Sequence, residues 1–134
     1  MTFYQNELNR MKDSFYSNEA QIRTVIGTRN YINNNLEKEL NLDFLSRILF
    51  ISKYHLLRLF KKYYGQTPRQ YLIDRRIDKA KELLVNGHSV TETCYAIGFV
   101  SLGSFSTLFK SKTGRSPSEF QNEQLSRRKN QSEC

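Results

Sequence analysis

The sequence predicts an all-α fold with two helix-turn-helix subdomains joined by a long linker helix. Apolar residues recur at helical spacing along most of the 134 residues, and no segment of any length alternates like a strand. Segments 42–71 and 90–120 also repeat the same order of apolar, basic, Gly and Pro positions. A short helix, a turn and a longer helix, present twice, account for both observations.

Two helices are expected ahead of the first repeat. Residues 3–16 carry apolar side chains on one helical stripe: Tyr4, Leu8, Met11 and Phe15. Because chain termini are often poorly ordered, this extension (1–24) either frays, packs on its own domain, or offers a short surface to a partner or a second copy. A second helix over 22–36 places a further set on one face: Ile22, Ile26, Arg29, Ile32 and Leu36.

The first helix-turn-helix subdomain is expected over residues 25–67. Asn41 caps a short helix, the segment 49–51 forms the turn, and Ser52 caps a second helix that Gly65 ends. One stripe of this second helix is apolar and predicted to be buried: Leu56, Leu59, Phe60 and Tyr63. Another stripe is presented to solvent: Tyr54, Leu57, Arg58 and Lys61. A helix with one buried face and one cationic, aromatic face suits the major groove of DNA.

A long linker helix and a second subdomain follow. Thr67 caps the linker helix (68–86), which has Pro68 at its first position. The second subdomain (87–125) repeats the order of the first: a Ser89 cap, a Gly98-Phe99 turn, a helix over 101–113, a Gly114 stop and a Ser116 cap. Its inward positions are Val90, Thr93, Cys94, Ile97, Phe105, Leu108 and Phe109. Residues 126–134 are polar and charged, which predicts a disordered tail.

The charge balance favours a polyanionic partner. The chain has 21 basic and 13 acidic residues, a net charge of +8 and a pI near 9.6. Nucleic acid is the commonest polyanion bound by small proteins, and a basic surface that only keeps the chain soluble is the alternative. The two cysteines, Cys94 and Cys134, predict no disulfide framework. The lack of a signal peptide or a membrane-length apolar run predicts a cytoplasmic protein with no membrane partner.

The repeat gives the two halves a common geometric use. Leu56 matches Phe105 and Pro68 matches Pro117, at a spacing that shifts by one residue in the turn. DNA presents its major groove on one face once per turn, about every 34 Å. Two presented helices on one connecting helix are suited to successive groove segments. One copy of the chain is then expected to contact a long asymmetric site.

The arrangement resembles the DNA-binding domain of the AraC/XylS family of bacterial transcription regulators, over about residues 26–121. Four groups of residues carry the resemblance, in this order: Ser52, His55, Leu56, Arg58, Leu59, Phe60 and Lys61; Gly65, Thr67, Pro68 and Tyr71; Arg76, Ile77, Ala80, Leu83 and Leu84; Gly98, Phe99, Ser104, Phe105, Ser106, Phe109, Lys110, Gly114, Ser116, Pro117 and Phe120. The resemblance implies homeodomain-like three-helix units whose recognition helices, 52–64 and 101–113, enter the major groove. It also implies that RNA polymerase is recruited, as by an activator, or blocked.

The first recognition helix is expected to supply most of the base contacts. Expected base contacts are Lys53, Tyr54, Leu57 and Arg58, and expected phosphate contacts are Ser52, His55, Lys61 and Lys62. Arg58 stands out because its guanidinium fork can engage guanine O6 and N7 together. A phosphate clamp or a salt bridge to a neighbouring acid is the alternative for Arg58. Leu57 either touches a thymine methyl or is buried at the edge of the face.

The second recognition helix departs from the family pattern. Its presented positions are Ser101, Leu102, Gly103, Ser104 and Thr107. The family often has an amide or other polar side chain at the positions of Leu102 and Gly103, and Arg at the position of Thr107. Expected base contacts are Gly103, Ser104 and Thr107, and expected phosphate contacts are Ser101, Lys110 and Ser118, with the N–H groups at the start of the last helix. We therefore expect this helix to dock mainly on phosphates.

Other classes of function have less support in the sequence. No Gly-rich phosphate loop, metal-ligand cluster or nucleophile paired with a base is evident, so no catalytic residue, metal or cofactor is expected, and the protein is not expected to be an enzyme. A helical adaptor that binds another protein through residues 3–16 is one alternative. Another is the DNA-binding fragment of a larger ligand-sensing regulator, because the roughly 24 residues before the matched region are too few for a small-molecule pocket.

Overall fold

The computed structural model describes residues 2–132, with the side chains of 13–17 and 131–132 excluded, and consists of seven α-helices. They are α1 (Phe3–Asn34), α2 (Leu42–Ile48), α3 (Lys53–Tyr64), α4 (Pro68–Val85), α5 (Val90–Ala96), α6 (Leu102–Thr113) and α7 (Pro117–Ser132). No strand occurs within this described part of the chain. The predicted all-α class is confirmed. The expectation for Cys134 and the position of the Phe15 side chain lie outside the described residues.

The first helix is longer than the sequence predicts and buries a different face. The two expected helices, 3–16 and 22–36, form the single helix α1. The residues that it buries are Val25, Thr28 and Ile32, whereas Ile22 and Ile26 are exposed. The predicted face is therefore wrong at Ile22 and Ile26, whereas Ile32 is buried and Arg29 and Leu36 are half-buried. The buried face of α1 is the one that contacts α3. Gly27 lies beside this face, and because it has no Cβ, the Leu49 side chain can pack within 3.2 Å of where a Cβ would stand.

The first compact unit combines the residues up to Asn34 with Leu40–Gln70. Its buried core contains Val25, Ile32, Leu45, Leu56, Leu59 and Phe60. The Phe60 and Tyr64 rings stack with centroids 4.7 Å apart, and Arg29 Nη1 donates to the Tyr64 hydroxyl at 3.1 Å. Tyr63, predicted to be buried, is instead an exposed ring whose hydroxyl bonds Gln21 Oε1 at 3.1 Å. Tyr64 takes the packing role because the i, i+4 spacing places it over Phe60.

The second compact unit contains Asn35–Glu39 and the chain from Tyr71 onward. Its core is formed by Ile77, Ala80, Leu84, Cys94, Ile97, Phe105 and Phe109. A row of aromatic rings crosses it, with centroid distances of 5.5 to 5.7 Å between neighbours: Phe99, Phe105, Phe109 and Phe120. By packing, α4 belongs mainly to this unit, whereas the sequence treats it as a separate linker.

Arg76 ties the segment 35–39 to the second unit. Its Nε donates to the Leu36 carbonyl at 2.7 Å, and its Nη2 donates to the Lys38 carbonyl at 2.8 Å. The guanidinium lies 5.6 Å from the centre of the Phe99 ring. Gly98 is needed here because a Cβ would come within 2.7 Å of the Glu37 carbonyl oxygen. Arg76 is thus a structural residue that holds a loop against the turn between α5 and α6.

The C-terminal segment also differs from its expectation. The sequence predicts disorder from residue 126, but α7 continues to Ser132. The segment lacks helix-breaking Gly or Pro residues, and its polar residues are compatible with a solvated helix. The prediction of a disordered tail is therefore wrong over 126–132, while residues 133–134 lie outside the described part. None of the described helices combines the length and apolarity needed to cross a lipid bilayer.

Candidate nucleic-acid interface

Helix α3 is fixed at both ends by the local signals that the sequence predicts. The Ser52 hydroxyl oxygen accepts a hydrogen bond from the His55 N–H at 3.1 Å. At the other end Gly65 adopts a left-handed conformation at φ 71°, and its N–H donates to the Lys61 carbonyl. These caps stabilise the helix while one face, carrying Leu56, Leu59 and Phe60, is buried. The opposite face is left to solvent.

Arg58 and Tyr54 form the centre of this presented face. The Arg58 guanidinium carbon lies 5.8 Å from the centre of the Tyr54 ring, and Tyr54 is 70% exposed. A cation over an aromatic face is attracted by the ring quadrupole, by about 0.5–1 kcal/mol at an exposed site. Among the side chains that the structure describes, no carboxylate forms an ion pair with Arg58. Its fork is therefore oriented by Tyr54 and available to a ligand.

Lys53 and Leu57 flank this pair on the side of α2. Lys53 Nζ lies 3.3 Å from Asp43 Oδ1. Both side chains are largely solvent-exposed, so the ion pair contributes little to stability, but it aims the ammonium group toward the start of α2. Leu57 is half-buried. It therefore packs partly at the edge of the core and presents only the remainder of its side chain.

A cationic groove borders α3 on the side of α1. It is lined by Gln21, His55, Arg58, Leu59, Lys61 and Lys62. Lys62 Nζ lies 5.5 Å from the centre of the Tyr63 ring. Gln21 was not singled out from the sequence: it enters the groove through its hydrogen bond to Tyr63, a residue far away in the chain. The groove brings together three of the four predicted phosphate contacts, and its concentration of positive charge suits an anionic backbone.

The equivalent helix of the second unit, α6, has similar caps and a different surface. The Ser101 hydroxyl oxygen accepts a hydrogen bond from the Ser104 N–H at 3.1 Å, and the two hydroxyl oxygens lie 2.9 Å apart. Both predicted hydroxyl contacts thus bond each other at the first turn. Gly103 is open, with no atom within 4 Å of its Cβ position among the described residues, and Thr107 is exposed.

The basic residues at the end of α6 differ in their surroundings. Lys110 is exposed, whereas Lys112 Nζ lies 3.0 Å from Asp74 Oδ1 of α4. At the start of α7 the Glu119 N–H donates to the Ser116 hydroxyl at 3.2 Å, and Pro117 has no N–H. Among the first three residues of α7 as the structure describes it, Pro117, Ser118 and Glu119, Ser118 alone keeps an N–H group for an anion. The anion site at this helix start is correspondingly smaller than the sequence predicts.

Two further features bear on the chemistry of the chain. Cys94 is fully buried, and burial raises the pKa of its thiol above the ordinary value, which lowers its reactivity. Within the described residues, no group of three or more His, Cys, Asp or Glu side chains has the placement of a metal site. The described interface is therefore one of cations, hydroxyls and aromatic rings.

The comparisons with known proteins follow the same two-unit region. The family described as "Helix-turn-helix domain" matches residues 45–123. An uncharacterised HTH-type transcriptional regulator in the cgkA 5′ region of Pseudoalteromonas carrageenovora is 36% identical over 90 residues, which cover 67% of this chain and 54% of that protein. The chain spans 38–54% of the length of three curated relatives that it matches.

Solved structures show the same likeness. A transcriptional regulator of Chromobacterium violaceum described as having an AraC-type DNA-binding domain is 26% identical, with a TM-score of 0.70 over 76% of this chain and 92% of that one. The DNA-binding domain of AdpA, a global transcriptional factor solved in complex with a target DNA, is 25% identical, with a TM-score of 0.72 over 78% of this chain and 95% of that one. The described fold, including both helix-turn-helix units, is thus shared with these domains.

Proposed function

The chain belongs to the AraC/XylS family of helix-turn-helix transcription regulators, and we propose that it binds specific sequences in double-stranded DNA and regulates transcription. The observation that carries the proposal is the exposed Arg58 guanidinium over the Tyr54 ring on the presented face of α3. The AdpA domain, which shares the fold, was solved with a target DNA. The net charge of +8 supports a polyanionic partner.

In this proposal α3 supplies the sequence preference. Arg58 donates to guanine O6 and N7, while Lys53, Tyr54 and the exposed part of Leu57 contact neighbouring base edges. Ser52, His55, Lys61 and Lys62 hold the adjoining phosphates, and Lys61 and Lys62 line the groove beside α3. A planar guanidinium fixed by an aromatic ring loses little freedom on binding.

Helix α6 supplies affinity and register. Ser101, Lys110 and Ser118 contact phosphates, and Gly103, Ser104 and Thr107 approach base edges closely without long polar side chains. The short side chains of Gly103, Ser104 and Thr107 support this division, because none of them can make the bidentate contact that an arginine makes to a base; in the unbound chain the Ser101 hydroxyl donates to Ser104 Oγ. Each chain thus contacts an asymmetric site with two unequal helices. At a promoter, the bound protein recruits or blocks RNA polymerase and performs no chemical reaction of its own.

Selection of bound sites from random duplex DNA tests the proposal. A long asymmetric motif with one strongly preferred half is expected, together with a steep fall of affinity as salt is added. A motif with two equally strong halves contradicts the unequal roles of α3 and α6. No enrichment, with no binding to mixed duplex DNA at low salt, contradicts DNA binding and favours the helical adaptor. A small molecule that changes the selected affinity in a longer form of the protein would identify a ligand-sensing regulator.

A further inference from the structure

Helix α1 carries a stripe of apolar side chains that its own unit does not cover. Tyr4 is 71% exposed and Met11 is 66% exposed, and Leu8, Ile22 and Ile26 are exposed as well. The face that packs in the first unit, formed by Val25, Thr28 and Ile32, lies roughly 100° around the helix axis from this stripe. The stripe is therefore a second apolar face of the same helix, and it remains in solvent.

The stripe has the spacing of a coiled-coil seam. From Tyr4 through Leu8 and Met11 to Ile22, the seam positions alternate in steps of four and three residues, with Asn18 as a polar member. Phe15, whose side chain is outside the described set, occupies a seam position by sequence alone. Asn18 occupies a d position of the heptad and is a polar interruption of the seam, which lowers the stability of the pairing. We propose that a second copy of this chain covers the stripe, and that two α1 helices pair as a parallel coiled coil.

The charges beside the seam favour this occupant and this direction. Counting from the seam, Glu7 and Lys12 occupy the two flanking positions that meet across a parallel pair. Glu7 of one chain then faces Lys12 of the partner subunit, and the contact occurs twice by symmetry. Glu7 also lies 3.4 Å from Arg10 of its own helix. In the antiparallel pairing that aligns the same seam residues, Lys12 faces its own copy and the two charges repel.

The length of the stripe is sufficient for a stable contact. Tyr4 and Ile22, the two ends of the seam, are separated by about 27 Å along the helix. Two helices packed side by side over that length bury roughly 1,000 Å² in total, at the lower bound of specific protein interfaces. Helices gain most of their stability from packing an apolar face, so pairing also stabilises the N-terminal half of α1. The pairing joins two DNA-binding regions in one dimer, whereas the proposed function concerns the single DNA site that each chain binds.

Sedimentation of the full chain without DNA tests the proposal independently of DNA binding. The wild type is expected to shift from monomer to dimer across the micromolar range. Leu8→Asp with Met11→Asp should weaken dimerisation at least about 100-fold, because charges then lie in the seam of both chains. The matched control, Asn6→Asp with Ala20→Asp, adds the same charge on the opposite side of α1 and should dimerise like wild type.

Three results overturn the pairing: a wild type that is monomeric at all concentrations, a seam variant that still dimerises, or a control that loses dimerisation equally. A monomeric wild type would assign the stripe to another protein.

The parallel direction of the two helices is tested by charge exchange. Glu7→Lys alone should weaken the dimer about three- to tenfold at low salt, and Glu7→Lys with Lys12→Glu should restore it. Failure of the double variant to restore dimerisation overturns the parallel arrangement. Circular dichroism of each monomer checks that the helical fold is kept.

Discussion

Phe50 and Gly98 occupy the same position in the two helix-turn-helix turns and share a left-handed backbone, with φ values of 54° and 94°. Gly adopts this conformation freely, whereas Phe does so against the steric repulsion of its Cβ. Phe50 gains no burial in return, since 96% of its surface is exposed. The first turn therefore holds a strain that the second turn avoids.

Replacing Phe50 by Gly should stabilise the protein by about 1 kcal/mol, because the strain is relieved and no buried contact is lost. Thermal unfolding followed by circular dichroism measures the change. Phe50→Ala is the matched control: it removes the same ring but keeps the Cβ, so its stability should stay close to that of the wild type. Equal stabilisation by both variants would show that the exposed ring, and not the backbone, is responsible.

The opposite change at the equivalent position should be destabilising. Gly98→Ala forces a side chain into φ 94°, and its Cβ would approach the Glu37 carbonyl oxygen to 2.7 Å and Arg76 Nη2 to 2.9 Å. We expect a loss of about 2 kcal/mol or more in the free energy of unfolding, measured by urea denaturation. Gly87→Ala provides a comparison, since Gly87 has a similar φ of 92° and no described atom within 4 Å of its Cβ position. If both variants lost the same stability, the close approach to Glu37 would contribute nothing.

The parts of the fold that depend on near neighbours could be predicted from the sequence. Ser52 caps α3 as expected, and Ser101, predicted only as the first residue of its helix, caps α6 in the same way, by a bond between its side chain and an N–H three residues on. Gly65 and Gly114 end those helices in the left-handed conformation for an equally local reason. The internal repeat then indicates that the second unit has the same order of elements as the first.

The parts that depend on distant partners could not be predicted. Helix α1 has two apolar faces, and periodicity alone does not say that Val25 rather than Ile26 is buried against its unit. Tyr63 and Tyr64 are neighbours of the same type, and only the positions of Gln21 and Phe60 separate their roles. For the candidate site, sequence identifies the side chains of α3, whereas the pairing of Arg58 with Tyr54 and of Lys53 with Asp43 requires coordinates.

Thr93 contains a buried polar atom whose removal should stabilise the second unit. Its side chain is fully buried, and Oγ1 has no hydrogen-bond partner among the described residues. Thr93→Val keeps the shape and replaces the hydroxyl by a methyl group, so the cost of burying an unpaired polar group disappears. We expect a gain of about 1–2 kcal/mol in urea denaturation. Thr93→Ser, which keeps the hydroxyl and loses the methyl group, should be destabilised. A loss of stability in the Val variant would indicate that the hydroxyl is hydrogen-bonded, for example to a buried water.

Arg58 should determine sequence preference more than overall affinity. Arg58→Ala is expected to lose about 1–3 kcal/mol of binding free energy on the preferred duplex and much less on a scrambled one, because a bidentate contact to guanine is removed. Fluorescence anisotropy with both duplexes at one salt concentration measures the difference. Tyr54→Phe keeps the ring beside Arg58 and should bind with nearly unchanged preference. Equal losses on both duplexes would assign Arg58 to a phosphate.

Helix α6 should behave in the opposite way. Lys110→Ala is expected to weaken binding to preferred and scrambled duplexes alike and to reduce the slope of log affinity against log salt by about 0.9, the value for one released counterion. Ser104→Ala should leave most of the sequence preference intact, because a short hydroxyl side chain can offer a base no bidentate contact of the kind that Arg58 offers. Lys112→Ala is the matched control: the Lys112 ammonium group is paired with Asp74, so the effect of this variant on the salt slope should be smaller.

The asymmetry between the two helices would be wrong if Ser104→Ala relaxed sequence preference as strongly as Arg58→Ala. It would also be wrong if the salt slope of Lys110→Ala matched that of the wild type, since a phosphate contact cannot be removed without changing the number of counterions released.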